Sequence, residues 1–246
     1  MCGRFVVASS PQLLTDRFDV QESTVEIVEP DYNIAPRRQV IVVRQREDTR
    51  VLSQLRWGLV PSWAKSAAIG DRMINARAEG LATKPAYKRA FEKHRCLIPA
   101  DGFYEWQVVS PPATPKGRPT KQPVFVHRRD GEPMAFAGLW AAWKVPEGQG
   151  VEGVGGDGWL RSCVIVTTAP NDLLAPVHNR MPVVLPESAW AKWLDPEGHD
   201  TTALAELLVP AANDVLELWP VSTAVNKADN NGPELVEPVA DASARP

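Results

Sequence analysis

Proline accounts for 23 of the 246 residues, about 9% against a typical ~5%, and this limits what the chain can fold into. A proline breaks a helix interior and removes a donor from a sheet ladder. Most apolar runs here are short and end at a proline or glycine, so the sequence predicts many short strands joined by irregular connections. Runs rich in β-branched or aromatic residues place strands at 4–7, 39–44, 51–57, 96–99, 103–108, 124–127, 135–140, 163–168 and 215–219. Helices are fewer. One is expected at 11–18, with Ser10 as N-cap and Pro11 in the first helical position. Others are expected at 86–94, at 187–194 with Trp190 and Leu194 spaced i, i+4 after Pro186, and at 201–208.

Two stretches read as long loops: 110–123, with five prolines, and 145–158, with six glycines. Neither marks a domain boundary. From Ala228 the chain is polar, with Pro233 and Pro238, and reads as a flexible tail over 228–246. The expected fold is α+β: a single domain over 1–227 with a β-rich core of mostly antiparallel strands flanked by short helices. A barrel is one way such a sheet can close. Most of the nine tryptophans, Trp140 and Trp219 included, are expected in the core.

Apolar content of 44% and charged content of 23% are those of an ordinary globular chain. No apolar run approaches the ~20 residues of a membrane span, and the start lacks a signal-peptide pattern. A cytoplasmic monomer without a membrane partner is expected. Cys2, Cys96 and Cys163 are odd in number and form no CxxC, which argues against a disulfide scaffold. His94, His127, His178 and His199 show no metal-ligand spacing, so neither a zinc site nor another cofactor is expected. Net charge is -3, but it is unevenly spread. Residues 1–130 hold 21 Lys and Arg against 14 Asp and Glu; residues 131–246 hold 6 against 16. A basic surface built mainly by the first half is the consequence, and it suits a polyanionic partner.

Cys2 stands directly after the initiator methionine. Cysteine is small enough for Met1 to be removed by methionine aminopeptidase, which leaves an α-amine and a thiol on adjacent carbons. At pH 7 roughly a tenth of such amines are neutral, against fewer than about one lysine in a thousand. The thiolate is also a strong nucleophile. A 1,2-aminothiol reacts with an aldehyde in a way open to no other residue: the amine forms a Schiff base and the thiol closes a five-membered thiazolidine.

Other motifs place polar groups among apolar and turn-forming neighbours: Met73-Ile74-Asn75-Ala76-Arg77-Ala78-Glu79, Ile98-Pro99-Ala100-Asp101-Gly102-Phe103-Tyr104-Glu105-Trp106, and Thr167-Thr168-Ala169-Pro170-Asn171 followed by Val177-His178-Asn179-Arg180-Met181-Pro182. Such local conflict is expected at functional sites. Taken singly, each residue also has a plain reading. Cys2 is a small apolar residue, Glu105 a surface strand carboxylate, His178 a satisfied structural histidine, and Arg4 and Arg77 members of surface ion pairs.

Taken together, the motifs resemble the SRAP family, the SOS-response-associated peptidase proteins that act as abasic-site DNA–protein crosslinkers. The resemblance runs from Cys2 to about Asn226. It is carried in order by Cys-Gly-Arg-Phe at 2–5, Tyr-Asn-Ile-Ala-Pro at 32–36, Arg-Trp-Gly-Leu at 56–59, Asn-Ala-Arg-Ala-Glu at 75–79, Gly-Phe-Tyr-Glu-Trp at 102–106 and His-Asn-Arg-Met-Pro at 178–182. It implies that Cys2 forms a covalent link to the aldehyde of an abasic site in single-stranded DNA, shielding the lesion. It implies that Asn75 hydrogen-bonds at the reaction centre, that Glu105 is a carboxylate acid/base that opens the deoxyribose ring, and that His178 is a second proton-transfer group. Arg4 and Arg77 are expected to hold phosphates, with Asn33 and Trp63 as further DNA contacts. Lys65, Arg72, Lys84, Lys88 and Arg89 are candidates to extend the groove. The resemblance also implies an abasic-site crosslinking, lyase-type activity with autoprocessing peptidase activity, and nucleoid association if the source is bacterial.

The residue chemistry bears on these roles separately. Opening a closed hemiacetal needs a proton taken from one oxygen and given to another, typically worth 10²–10⁴-fold when the groups are positioned. Arginine grips phosphate with a planar fork of donors, and an exposed aromatic stacks on an unpaired base for ~1–3 kcal/mol. If 102–106 is a strand, Tyr104 and Trp106 face away from Glu105, and other residues must shield it. Two other readings use the same residues: a cysteine peptidase or autopeptidase built from Cys2, Glu105 and His178, and a non-covalent nucleic-acid-binding module.

Overall fold

The structure is a computed structural model that describes residues 2–25, 29–111, 117 and 119–239. Thirteen strands follow one another along the described chain: β1 Phe5–Val7, β2 Glu22–Ser23, β3 Asp31–Ile34, β4 Gln39–Arg46, β5 Thr49–Trp57, β6 Asn75–Arg77, β7 Arg95–Ala100, β8 Gly102–Ser110, β9 Thr120–Arg128, β10 Met134–Lys144, β11 Trp159–Thr168, β12 Met181–Pro182 and β13 Leu216–Pro220. Four short helices accompany them: α1 Pro11–Arg17, α2 Lys88–Lys93, α3 Glu187–Leu194 and α4 Thr201–Ala205. No helix of the described residues is long and apolar enough to cross a membrane.

Five strands close on themselves. In the order β11-β10-β7-β4-β5 each neighbour pairs antiparallel, and β5 returns to β11 in parallel through Arg56↔Ser162 and Trp57↔Cys163. The apolar runs the sequence marks form the barrel wall, and Val42, Val43, Leu97, Ile98, Ala137, Leu139, Val164 and Ile165 are all buried, so both faces of the wall are covered. The fold is the expected single α+β domain. The barrel answers the edge problem of a short-stranded sheet by leaving few strands unpaired.

A second antiparallel sheet, β13-β9-β8-β1-β3, packs against the barrel. Its seam is aromatic. Phe5 of β1 meets Trp57 edge-on with centroids 5.1 Å apart and Phe136 at 6.1 Å, and Phe103 of β8 meets Phe136 at 5.8 Å. Edge-to-face pairs of this kind add about 0.5–1.5 kcal/mol beyond their buried area. They fix β1, and with it the N-terminus, to the barrel wall.

The chain passes from barrel to second sheet at Asp101. The Asp101 carboxylate accepts hydrogen bonds from the Ala8 and Ser9 amides and the Ser9 hydroxyl, while its own N–H donates to Val6 O at 2.8 Å. Gly102 follows because nothing larger fits. A Cβ there would lie 2.2 Å from Phe125 Cζ and 2.8 Å from Val126 O. The Asp-Gly pair thus turns β7 into β8 and ties β1 alongside.

Capping explains the helices. Ser10 accepts from Leu13 N at 3.2 Å and Pro11 opens α1, as expected. Helix α3 buries Trp190 and Trp193 against the barrel, and Phe18 stacks on Trp190 at 4.8 Å.

Several expectations need correction. Strands β2, β3, β6 and β12 have no counterpart among the expected strands; each has two to four residues, and β2, β6 and β12 pair with longer neighbours while β3 pairs with β1. Helix α4 stops at Ala205 rather than continuing to residue 208. Trp140 and Trp219 are half-buried, not core: Trp140 lies under the Arg44 guanidinium, and Trp219 packs on His127. The 110–123 loop is shorter than read, because β8 runs to Ser110 and β9 begins at Thr120; residues 112–116 and 118 lie outside the described residues. Residues 228–239 pack rather than trail: Leu235 is fully buried and Val236 O accepts from Trp219 Nε1 at 2.8 Å. Residues 240–246 of the expected tail lie outside the described residues.

Candidate active site

The site forms where the second sheet meets the end of β11. Strand β1 pairs with β8 at Phe5↔Phe103 and Val6↔Gly102, and the pairing continues through Tyr104 N donating to Arg4 O at 3.0 Å. This brings the segment before β1 beside Glu105. Strand β6 pairs in parallel with β11, Asn75 opposite Ile165 and Arg77 opposite Thr167. On β11's other side β12 places Met181 opposite Thr168.

Cys2 is fully buried. Its Sγ lies 3.8 Å from Arg4 O, and its carbonyl oxygen accepts from Asn75 Nδ2 at 2.7 Å. Burial pushes the thiol well above the usual range, and the nearby Glu105 carboxylate pushes it further the same way. A neutral thiol at neutral pH is the result. The Asn75 Oδ1 atom is buried and accepts no hydrogen bond among the described residues.

Glu105 is 2% exposed, so it is not the surface strand carboxylate of the plain reading. The alternation expected for β8 holds. Phe103 joins the main core, whereas Tyr104 and Trp106 turn to a second cluster with Val6, Phe125, Val221 and Val225. Tyr104 OH donates to Tyr32 O at 2.8 Å, and Trp106 Nε1 to Asn226 Oδ1 at 2.7 Å.

His178 closes a turn between β11 and β12. Asn171 shapes that turn: its Oδ1 accepts from Leu174 N and its Nδ2 donates to Ala211 O, each at 3.0 Å. His178 N donates to Leu174 O at 2.9 Å. The ring's Nδ1 accepts from Arg180 N at 3.0 Å and lies 3.3 Å from Arg180 O.

The expected DNA contacts divide. Arg77 and Trp63 are exposed, Trp63 by 58%. Arg4 is half-buried, its Nη1 donating to Asn33 Oδ1 at 2.8 Å and Val225 O at 2.9 Å. Asn33 is 3% exposed. Its Nδ2 donates to the carbonyls of Val225, Lys227 and Asn230. Asn33 is therefore a buried link between Arg4 and the 225–230 segment. Lys65, Arg72, Lys84, Lys88 and Arg89 are exposed, and none has an ion-pair partner among the described residues. The basic first half is only partly surface charge. Arg56 binds Asp71 at 2.6 Å, and Arg95 is buried beneath the carbonyls of Phe91, Glu92 and Trp193.

Two residues quoted in the motifs without a role pair with each other across the fold. Arg180 grips Glu79 with both arms, Nη1 to Oε1 at 2.7 Å and Nη2 to Oε2 at 3.0 Å, and Nη2 also donates to Thr167 O at 2.6 Å. The hydrogen bonds from Arg180 hold the Glu79 carboxyl below its ordinary range. The two residues are 101 positions apart, and no spacing rule pairs them. The only signal is opposite charge: Glu79 is the one carboxylate of its motif and Arg180 the one arginine of its own. No group of three or more His, Cys, Asp or Glu placed to hold a metal occurs among the described residues.

Residues 1–228 match the model of the family described as SOS response associated peptidase (SRAP). The chain is 39% identical over 238 residues to the abasic site processing protein YoqW of Bacillus subtilis, covering 96% of this chain and 99% of that one. It is 32% identical over 247 residues to the abasic site processing protein YedK of Escherichia coli, covering 97% and 100%. A crystal structure of a Bacteroides thetaiotaomicron protein superposes with a TM-score of 0.80 at 21% identity, covering 97% and 100%.

Proposed function

The chain belongs to the SOS response associated peptidase family, and on that premise we propose that it processes abasic sites in single-stranded DNA by bonding to them covalently through Cys2. Removal of Met1, by an aminopeptidase or by the site itself, converts the Cys2 amide nitrogen into an amine. The amine adds to the abasic aldehyde and loses water to give a Schiff base. The thiol then adds to the same carbon: the sulfur–carbon bond forms, and the thiol proton passes to nitrogen. Lyase-type strand cleavage competes from the Schiff base before the thiol closes the ring.

The observation that carries this reading is the environment of Cys2. Its carbonyl is held by Asn75 at 2.7 Å, and a buried carboxylate lies close enough to act on its thiol electrostatically. A cysteine peptidase works best with a thiolate, which a positive partner stabilises. Here burial and Glu105 outweigh the opposing N-terminal charge and favour the neutral thiol, a state compatible with attack by the amine first. Glu105 and His178 are the proton carriers for ring opening and dehydration. Arg4 and Arg77 hold the flanking phosphates, Asn33 orients Arg4, and Trp63 stacks on an unpaired base.

The test is an alanine inserted before Cys2, incubated with abasic single-stranded DNA and run on a denaturing gel. The native chain gives a band that survives denaturation. The inserted chain gives none, although its thiol is retained. An undiminished band from the inserted chain would assign the bond to the thiol alone. No band from either chain would leave non-covalent binding.

A further inference from the structure

We propose that Glu79 and Arg180 are positioning residues that hold His178 in one orientation through changes in its protonation. The inference rests on the covalent reading above. It starts from the bidentate pair, which couples the segment carrying Asn75 and Arg77 to the segment carrying His178. The third bond, to Thr167 O, fixes Arg180 against β11 at the residue opposite Arg77. Arg180 therefore has little freedom, and neither has its peptide backbone.

That backbone faces the imidazole. Arg180 N is 3.0 Å and Arg180 O 3.3 Å from His178 Nδ1. When the N–H donates, Nδ1 is the acceptor and the neutral ring carries its proton on Nε2. When Nδ1 is protonated, the carbonyl takes over as acceptor, and Nε2 becomes the basic nitrogen or, in the cation, the acidic one. One residue thus offers a partner to Nδ1 in every protonation state. A ring so held alternates between base and acid without swinging away, as ring opening and dehydration require. Glu79 is exposed, yet its two oxygens set where this residue stands. A lysine at 180 keeps the charge but loses the planar fork.

The experiment is a double-mutant cycle on the full chain with abasic single-stranded DNA. Single-turnover crosslinking is followed at saturating protein, across the neutral pH range, for the native chain, Glu79→Ala, His178→Ala and the double variant. Glu79→Ala is expected to lower the maximal rate about 10-fold at an unchanged half-saturating concentration, a part of the 10²–10⁴-fold that a positioned proton-transfer group supplies. Its pH dependence should flatten toward that of His178→Ala. In the His178→Ala background the same change should matter less than about 2-fold, because the two act as one unit. Arg180→Lys, run in the same cycle, keeps the question open to test if Glu79→Ala fails to fold. Multiplicative effects of Glu79 and His178, or a defect confined to half-saturation, would overturn the inference alone. A native chain that forms no crosslink would overturn the functional reading and this inference with it.

Discussion

The Asn75 amide donates to the Cys2 carbonyl at 2.7 Å, so a side chain from an edge strand on the barrel sets the position of the N-terminus. Its Oδ1 is buried and accepts no hydrogen bond among the described residues, which on the covalent account leaves it for the incoming sugar. Asn75→Ala removes both. Losing a hydrogen bond at a buried site costs about 1–2 kcal/mol, so crosslinking should slow by roughly 5–30-fold. Single-turnover kinetics beside a thermal melt would check this; a fall in Tm without a fall in rate would make Asn75 structural only.

Glu105 pushes the Cys2 thiol's pKa up and so opposes its ionisation, second only to burial. Glu105→Gln removes that repulsion, so the Cys2 thiol should ionise at a lower pH than in the native chain, read from thiolate absorbance. The same variant should slow crosslinking by about 10²-fold or more if the carboxylate carries protons, while DNA affinity stays within about 2-fold. Equal loss of rate and affinity would give Glu105 a binding role.

Arg77 and Arg4 should behave differently although both are expected on phosphate. Arg77 is exposed, so Arg77→Ala should weaken DNA binding and reduce the salt slope by about 1 with little change in Tm. Arg4 is bonded to Asn33 and Val225 O inside the protein. Arg4→Ala should therefore lower Tm as well, and Asn33→Ala should weaken binding without touching DNA. Binding isotherms at several salt concentrations separate the cases.

Much of this fold was legible because its signals are local. Pro11 and Ser10 announce α1, the 187–194 pattern gives α3 to the residue, and the apolar runs give the barrel strands. Barrel closure was not legible, since it depends on the parallel return of Trp57 to Cys163, residues far apart in sequence. At the site, Cys2 announced itself through its chemistry, and the burial of Glu105 followed only once β1 lay beside β8. The burial of Asn33 was not legible, because a motif position says nothing about depth. Glu79 and Arg180 were overlooked because their meaning lies in a pairing across the fold.

Stability should depend on the buried thiols at high pH. Burial raises Cys96 from 9.0 to about 12. The folded state thus holds a proton the unfolded chain releases, so this contribution is full below about pH 9 and is lost as pH rises toward 12. The urea midpoint of the native chain should fall over that window, and Cys96→Ala should show a shallower fall from a lower starting point. A parallel fall in both would place the alkaline sensitivity elsewhere.

The most direct test of the covalent account is the intact mass of the purified chain before and after incubation with abasic single-stranded DNA. The account predicts a protein lacking Met1, then a species heavier by the DNA strand less one water. An adduct on a chain that still carries Met1, or no adduct on a chain that has lost it, would contradict the account.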